Sequence, residues 1–225
     1  MTILVALGFV PVVESVAVEP LFRVSIDPDL PGTSPQDPAP GMLLVATRAL
    51  YDSRFGKSVV YLVEHDEAGT LGLIVNRSSD TSLLKALPDI KDKQAAAHTL
   101  NYGGPVGPSL ILMLMRNESP TRGMAHVAGG VYISSDLQVL EEVLAAKKIA
   151  SEVRFYIGHS GWAAGQLDYE LERGSWHVVK ADTDAIFSGD TDSLWDRLIE
   201  RLEPLGIQVE NRPALPDLAM ASGSR

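Results

Sequence analysis

The sequence predicts an α+β fold. Strand-length runs of β-branched, aromatic and other apolar residues recur along the chain, and segments of helical period lie among them. The two kinds do not alternate regularly as βαβ units would, which disfavours a doubly wound parallel sheet. At 225 residues, 45% hydrophobic and 21% charged, the chain has an ordinary globular composition. A chain of that size buries a core without staples.

The N-terminal part stands apart. Residues 2–13 are almost wholly apolar, and Ser15-Val16-Ala17 has the small-x-small pattern of a signal-peptidase site. No Lys or Arg precedes the run, whereas a secretory signal has a basic n-region. A cytoplasmic protein is therefore expected, with export as the alternative should Met1 to Ala17 be a cleaved signal. Pro28, Pro31, Pro35, Pro38 and Pro40 then remove backbone donors and fix φ. Residues 1–40 are expected to be an apolar leader and Pro-rich linker, and residues 41–210 a single domain. Residues 211–225, with Pro213, Pro216 and a Ser/Gly end, read as a flexible tail. No apolar stretch reaches the about 20 residues that a membrane span needs.

Within the domain, residues 43–46 and 58–64 (SVVYLVE) read as strands. Residues 70–76 (TLGLIVN) return as a third, making a hairpin around a five-residue loop, 65–69. Residues 81–87 have two helical turns' length before Pro88, and 109–115 are an apolar strand. Gly129-Gly130 between two short strands predicts a tight hairpin. From Ser134 the period becomes helical: Leu137, Leu140, Val143 and Leu144 share a face, Ser135 with Gln138 fits a capping box, and Lys147-Lys148 fall where a helix dipole favours cations. A strand over 152–157 precedes Gly158-His159-Ser160-Gly161-Trp162. A helix over 165–173 closed by Gly174, a strand over 176–179 and a helix over 190–202 complete the domain.

Charge and cysteine content narrow the function. The chain carries 19 basic and 29 acidic residues, a net charge of −10. Nucleic-acid surfaces cluster Lys and Arg; here the densest basic spots are Lys91 with Lys93 and Lys147-Lys148, so nucleic acid is disfavoured. With no cysteine, disulfides, thiolate metal sites and Cys nucleophiles are impossible.

Several motifs occur in a distinctive order: Asp52-Ser53-Arg54-Phe55 before the SVVYLVEH strand, Gly72-Leu73-Ile74-Val75-Asn76-Arg77, Tyr102-Gly103-Gly104-Pro105-Val106, and Gly161-Trp162-Ala163-Ala164-Gly165-Gln166-Leu167 with Glu170 and Trp176 in step. In that order they resemble the AlgH/YqgE family of bacterial proteins, from about Gly41 to about Leu202. The resemblance implies a branched, mixed or antiparallel sheet folded into a pseudo-barrel with peripheral helices. It implies no established reaction, only a label of transcriptional regulator spread by similarity.

Candidate chemistry is sparse. Gly158-His159-Ser160-Gly161-Trp162 departs from the nucleophile elbow G-x-S-x-G at its fifth position. Glu64-His65-Asp66-Glu67 offers metal-ligand types without metal-ligand spacing, and His98, His126, His159 and His177 show none either; no metal or cofactor is expected. His65 is read instead as bonding the backbone of its loop. Asn76-Arg77 is either an anion-binding fork or a strand end. Gly103-Gly104 is either an anion nest or a close chain approach, and the second reading is favoured. Trp162 reads as a core anchor, with Gln166 and Glu170 lining a groove beside it at successive helical turns. The expected binding residues are thus His65, Asn76, Arg77, Gly103, Gly104, Trp162, Gln166 and Glu170. The expected function is a non-catalytic regulator or adaptor that binds a protein or small ligand. The alternatives are an enzyme built from His65, Asn76, Arg77 and Gln166, which requires them to converge, and a DNA-binding regulator.

Overall fold

The computed structural model describes residues 37–117, 122–149, 151–187 and 190–203. Most of the expected leader, linker and tail therefore lies outside the described residues. Strands β1 (Met42–Ala46), β2 (Val59–Asp66) and β3 (Gly69–Ile74) form an antiparallel meander, and β10 (Trp176–Lys180) covers the free edge of β1. Beyond β3 lies β9 (Val153–Ala163), followed across the sheet by β6 (Val106–Arg116), β8 (Val131–Ser134) and β7 (Ala125–Ala128). The sheet curls into a half-barrel, and a Cβ on Gly41, before β1, would overlap the side chain of Ala128 in β7.

The sheet branches at β9. One edge of β9 pairs with β6. The other edge pairs first with the short parallel strand β5 (Thr99–Tyr102), through Phe155–Ile157, and then with β3, through Ser160–Ala163. β4 (Ser78–Ser82) hangs on β5. At the fork sits Gly103: its N–H donates to Ile157 O (2.9 Å), and its carbonyl accepts from Ile74 N (2.9 Å) and Ser160 Oγ (3.2 Å). A Cβ on Gly103 would overlap the Gly158 carbonyl oxygen, and one on Gly158 (φ +69°) the Gly104 carbonyl oxygen. Only glycine permits that approach of backbone to backbone.

Two core clusters flank β6 and β9, which explains the unbroken apolar run of β6. Leu112, Leu114 and Tyr156 face the half-barrel interior with β1, β2 and β3, while Met113, Met115, Val153 and Phe155 face the other cluster. Period-two alternation sends successive residues to opposite cores. The second cluster is closed by α1 (Leu83–Ala86), a 3-10 helix (Lys93–Ala97) and α2 (Leu137–Ala145); the first takes α3 (Gln166–Glu172), α4 (Thr183–Phe187) and α5 (Leu194–Leu202). In α5, Trp195 also donates from Nε1 to Ala46 O at 2.7 Å.

Several expectations need correction. The β2–β3 loop has two residues, not five, because His65 and Asp66 stay in the ladder opposite Thr70 and Gly69. Residues 81–82 belong to β4, so the helix expected over 81–87 is reduced to α1. The cap of α2 is Asp136, whose Oδ1 accepts from Gln138 N (2.7 Å), rather than Ser135. Leu137 is exposed and Val139 takes the expected place in the core. Lys147 and Lys148 lie beyond the cap of α2, Lys147 at φ +53°. The largest difference is β9, which runs through Gly158–Trp162 instead of stopping at Ile157. The Gly129-Gly130 hairpin forms as expected, with φ +51° and +77°.

Candidate functional site

The carboxylate of Glu170, in α3, is the centre of the best-connected cluster of candidate residues. Its Oε2 accepts from both indoles, Trp162 Nε1 at 2.9 Å and Trp176 Nε1 at 2.8 Å, and its Oε1 accepts from Gln166 Nε2 at 2.9 Å. Gln166 Oε1 in turn accepts from Ala163 N (3.1 Å), tying the end of β9 to the start of α3. An indole can only donate, so two buried tryptophans need an acceptor, and a carboxylate serves both with charge-assisted bonds. Trp162 comes from β9 rather than from a helix, so its meeting with Glu170 arises from the strand-to-helix turn and not from helical spacing.

Loop 47–58, between β1 and β2, lies over this cluster. Phe55 packs 5.9 Å from each of the Trp162 and Trp176 rings, which are themselves 6.0 Å apart and edge-on. Arg54 is fixed by Asp52 through Nη2–Oδ2 (3.0 Å) and Nε–Oδ1 (3.4 Å), lies 5.8 Å over Phe55, and is close enough to feel the charge of Glu170. Asp52 is held below the usual carboxylate range, chiefly by its hydrogen bond from Arg54. Arg77 lies 5.9 Å over the Tyr102 ring and donates to Gly56 O (3.2 Å); burial lowers its guanidinium, against the pull of Asp52. Tyr51 projects from the loop with 97% of its surface exposed. The result is one face of arginine and aromatic side chains on a rigid sheet.

The other candidates are structural. Asn76 is buried; its Oδ1 accepts from Val59 N (2.7 Å) and its Nδ2 donates to Lys57 O (2.9 Å), so it anchors the loop from beneath. Gly103 and Gly104 make the close chain approach at the fork. His65 bonds the Thr70 hydroxyl (Nδ1···Oγ1, 2.7 Å), not the loop backbone as expected. It lies at the opposite end of the β2–β3 hairpin from Asn76, about 20 Å away at about 3.3 Å per residue. His65, Asn76, Arg77 and Gln166 therefore do not converge.

Ser160 is fully buried and donates to Gly103 O. Glu64 and Asp66 alternate with His65 across β2, and Asp66 Oδ1 accepts from Ala68 N (2.7 Å) and Gly69 N (3.2 Å). Among the described residues no group of three or more His, Cys, Asp or Glu side chains is placed to hold a metal ion. Loop residues Tyr51, Asp52, Arg54 and Phe55 are not among the expected binding residues, although the last three belong to the Asp52-Ser53-Arg54-Phe55 motif. Nothing in a linear pattern shows that the loop folds back over Trp162.

The profile of the family described as AlgH-like (DUF179) matches residues 43–205. A UPF0301 protein of Mycobacterium tuberculosis is 37% identical over 174 residues, covering 75% of this chain and 84% of that protein. A UPF0301 protein of Chlorobaculum tepidum is 31% identical over 180 residues, covering 80% and 95%. The solution structure of the AlgH protein from Pseudomonas aeruginosa superimposes with a TM-score of 0.64 at 27% identity, covering 72% of this chain and 88% of that one. A crystal structure of a Corynebacterium diphtheriae protein gives a TM-score of 0.61 at 26% identity, covering 77% and 92%.

Two outcomes follow from the site. Glu170→Ala strips both indoles of their acceptor and is expected to cost about 2–4 kcal/mol in urea unfolding, with altered tryptophan fluorescence; Glu170→Gln, which keeps an oxygen acceptor, costs about half as much or less. Burial also holds His98 and His159 below the ordinary imidazole value of 6.5. Below pH 6.5 the unfolded chain binds more protons than the folded one, so stability is full above that value and falls as the pH drops through it. Urea midpoints measured from pH 7.5 to 5 check this, and His98→Asn with His159→Gln flatten the slope.

Proposed function

The chain belongs to the AlgH-like family, and on that premise we propose that it is a non-catalytic adaptor or regulator that docks a protein partner on the Tyr51–Arg54–Arg77 face. The observation that carries this reading is the composition of that face. Arginine and tyrosine dominate the energetic centres of protein interfaces, and here Arg54, Arg77, Tyr102 and Phe55 are held in place by stacking, with Tyr51 projecting beside them. Loop 47–58 carries Arg48, Arg54 and Lys57 against one acid of its own, Asp52, on a chain of net charge −10, and Arg48 is paired with Glu203 at 3.6 Å. Lys57 keeps a positive φ of +59°, a conformation that glycine would adopt more cheaply, and its ammonium lies 5.3 Å over the Trp195 ring. A partner segment bearing acidic and apolar side chains complements this local excess of positive charge.

The alternatives draw less support. An enzyme needs its polar groups aimed at one substrate position, and the polar groups named for it are spread over the hairpin or engaged in holding the fold. A helix-turn-helix DNA reader needs a basic helix: α2 has no Lys or Arg, and in α5 Arg197 is tied to Asp190 at 3.0 Å while Arg201 follows Glu200.

A photo-crosslinking side chain placed at position 51, in the cells that make the protein, is expected to trap a discrete protein adduct. Arg54→Glu with Lys57→Glu reduces its yield at least about tenfold, since such charge reversals act on hot-spot residues. The same probe at the exposed Leu137 of α2 does not trap that adduct. Equal trapping at both positions, or a yield indifferent to the charge reversals, contradicts the proposal, and an adduct with nucleic acid favours the DNA reading.

A further inference from the structure

At the other end of β9, nine residues from Trp162 and so at most about 30 Å away at about 3.3 Å per residue, lies a separate concavity of about 580 Å³. Its walls include Arg116 and Asn117 at the end of β6, Gly130 in the β7–β8 turn, Lys148 and Glu152 between α2 and β9, and Thr183 at the start of α4. We propose that this is a binding site for a small metabolite bearing an oxyanion, phosphate or carboxylate. It does not rest on the docking face.

Arg116 is the site's best-positioned cation. Its guanidinium lies 4.8 Å over the Phe187 ring and its Nη2 donates to Asp184 Oδ1 at 2.7 Å. Its Nε is buried and has no hydrogen-bond partner among the described residues. A ring below and a carboxylate at one corner fix the guanidinium in advance, and with Nη2 on Asp184 and Nε buried, Nη1 is left to donate to an oxygen of an anion. Lys148 adds a second cation. Its ammonium is 3.7 Å from Glu152 Oε1, too far for a strong hydrogen bond, while Glu152 Oε2 accepts from Ile149 N at 3.1 Å.

The exposures of these pairs decide the sign of the site. The Arg116 and Lys148 side chains are 34% and 25% exposed, whereas their acids, Asp184 and Glu152, are 84% and 46% exposed. The cations are the more enclosed members of both pairs, and of the two acids only Glu152 lines the concavity, so its lining carries two cations against one carboxylate. Volumes of about 300–1,000 Å³ suit small ligands. Glu152 at the wall disfavours extended polyanions and leaves room for hydroxyl groups to donate to it.

The test is a titration of the full, isotopically labelled chain with inorganic phosphate and, separately, with succinate, followed by amide resonances. Saturable shifts at Asn117, Gly129, Gly130 and Val131, with Kd at or below about 1 mM for either anion, are expected. Arg116→Gln is expected to raise Kd at least about tenfold, and Lys148→Met to raise it by a smaller factor; the second variant serves should the first fail to fold. Saturation by phosphate alone assigns phosphate esters, and by succinate alone carboxylates. The absence of saturable shifts up to about 20 mM of both anions, or shifts that persist unchanged in both variants, overturns the proposal.

Discussion

The fold depends on a contact that side chains would forbid. Gly103 and Gly104 lie against Gly158 and His159 so closely that backbone meets backbone, and at that point β9 exchanges one neighbour, β5, for another, β3. A strand edge carries one row of donors and acceptors, so two strands can share it only by dividing its length. Gly103 marks the division, bonding Ile157 on one side and receiving Ile74 and Ser160 on the other. The left-handed φ of Gly158 gives β9 the local kink that lets its two halves face different partners.

From that fork the rest of the architecture is arranged. The first half of β9 lies between two cores, one inside the half-barrel and one under α2, and carries the Arg116–Lys148 concavity at its start. The second half ends in Trp162 and turns into α3, which brings Glu170 back to bond both indoles. Loop 47–58 rests on this pair with help from Asn76, close to the same fork, which pins the loop through Lys57 O and Val59 N. Rigid strands and stacking contacts thus hold Arg54, Arg77 and Tyr102 in place at the surface.

Legibility in the sequence followed the strength of local pattern. The β2–β3 and β7–β8 hairpins, α2, α3 and α5 were visible because their apolar periods are strong and glycines mark the turns. β4 reads Ser-Ser-Asp-Thr-Ser and β5 has four residues, so neither carries a period; β5 forms because β9 offers an edge to pair with, and β4 because β5 does. The length of β9 was hidden by Gly158 and Gly161, which resemble loop residues in a linear reading although the fork requires the first of them. Trp162, Gln166 and Glu170 are neighbours through the strand-to-helix turn and not through helical spacing, and a contact between residue 55 and residue 162 leaves no local trace in the sequence. The AlgH/YqgE resemblance supplied what periodicity could not, the branching of the sheet.

The most direct test of the fork compares two glycines with ordinary φ in urea unfolding of the full chain. A Cβ on Gly103 overlaps the Gly158 carbonyl, whereas one on Gly161 meets only van der Waals contacts of 3.8 and 4.0 Å. Gly103→Ala is predicted to lose about 3 kcal/mol or more, as overpacking against backbone does. Gly161→Ala is predicted to be neutral or stabilising by up to about 1 kcal/mol. Equal, small effects of the two substitutions would show that β9 branches without the close glycine contact, and would contradict the account.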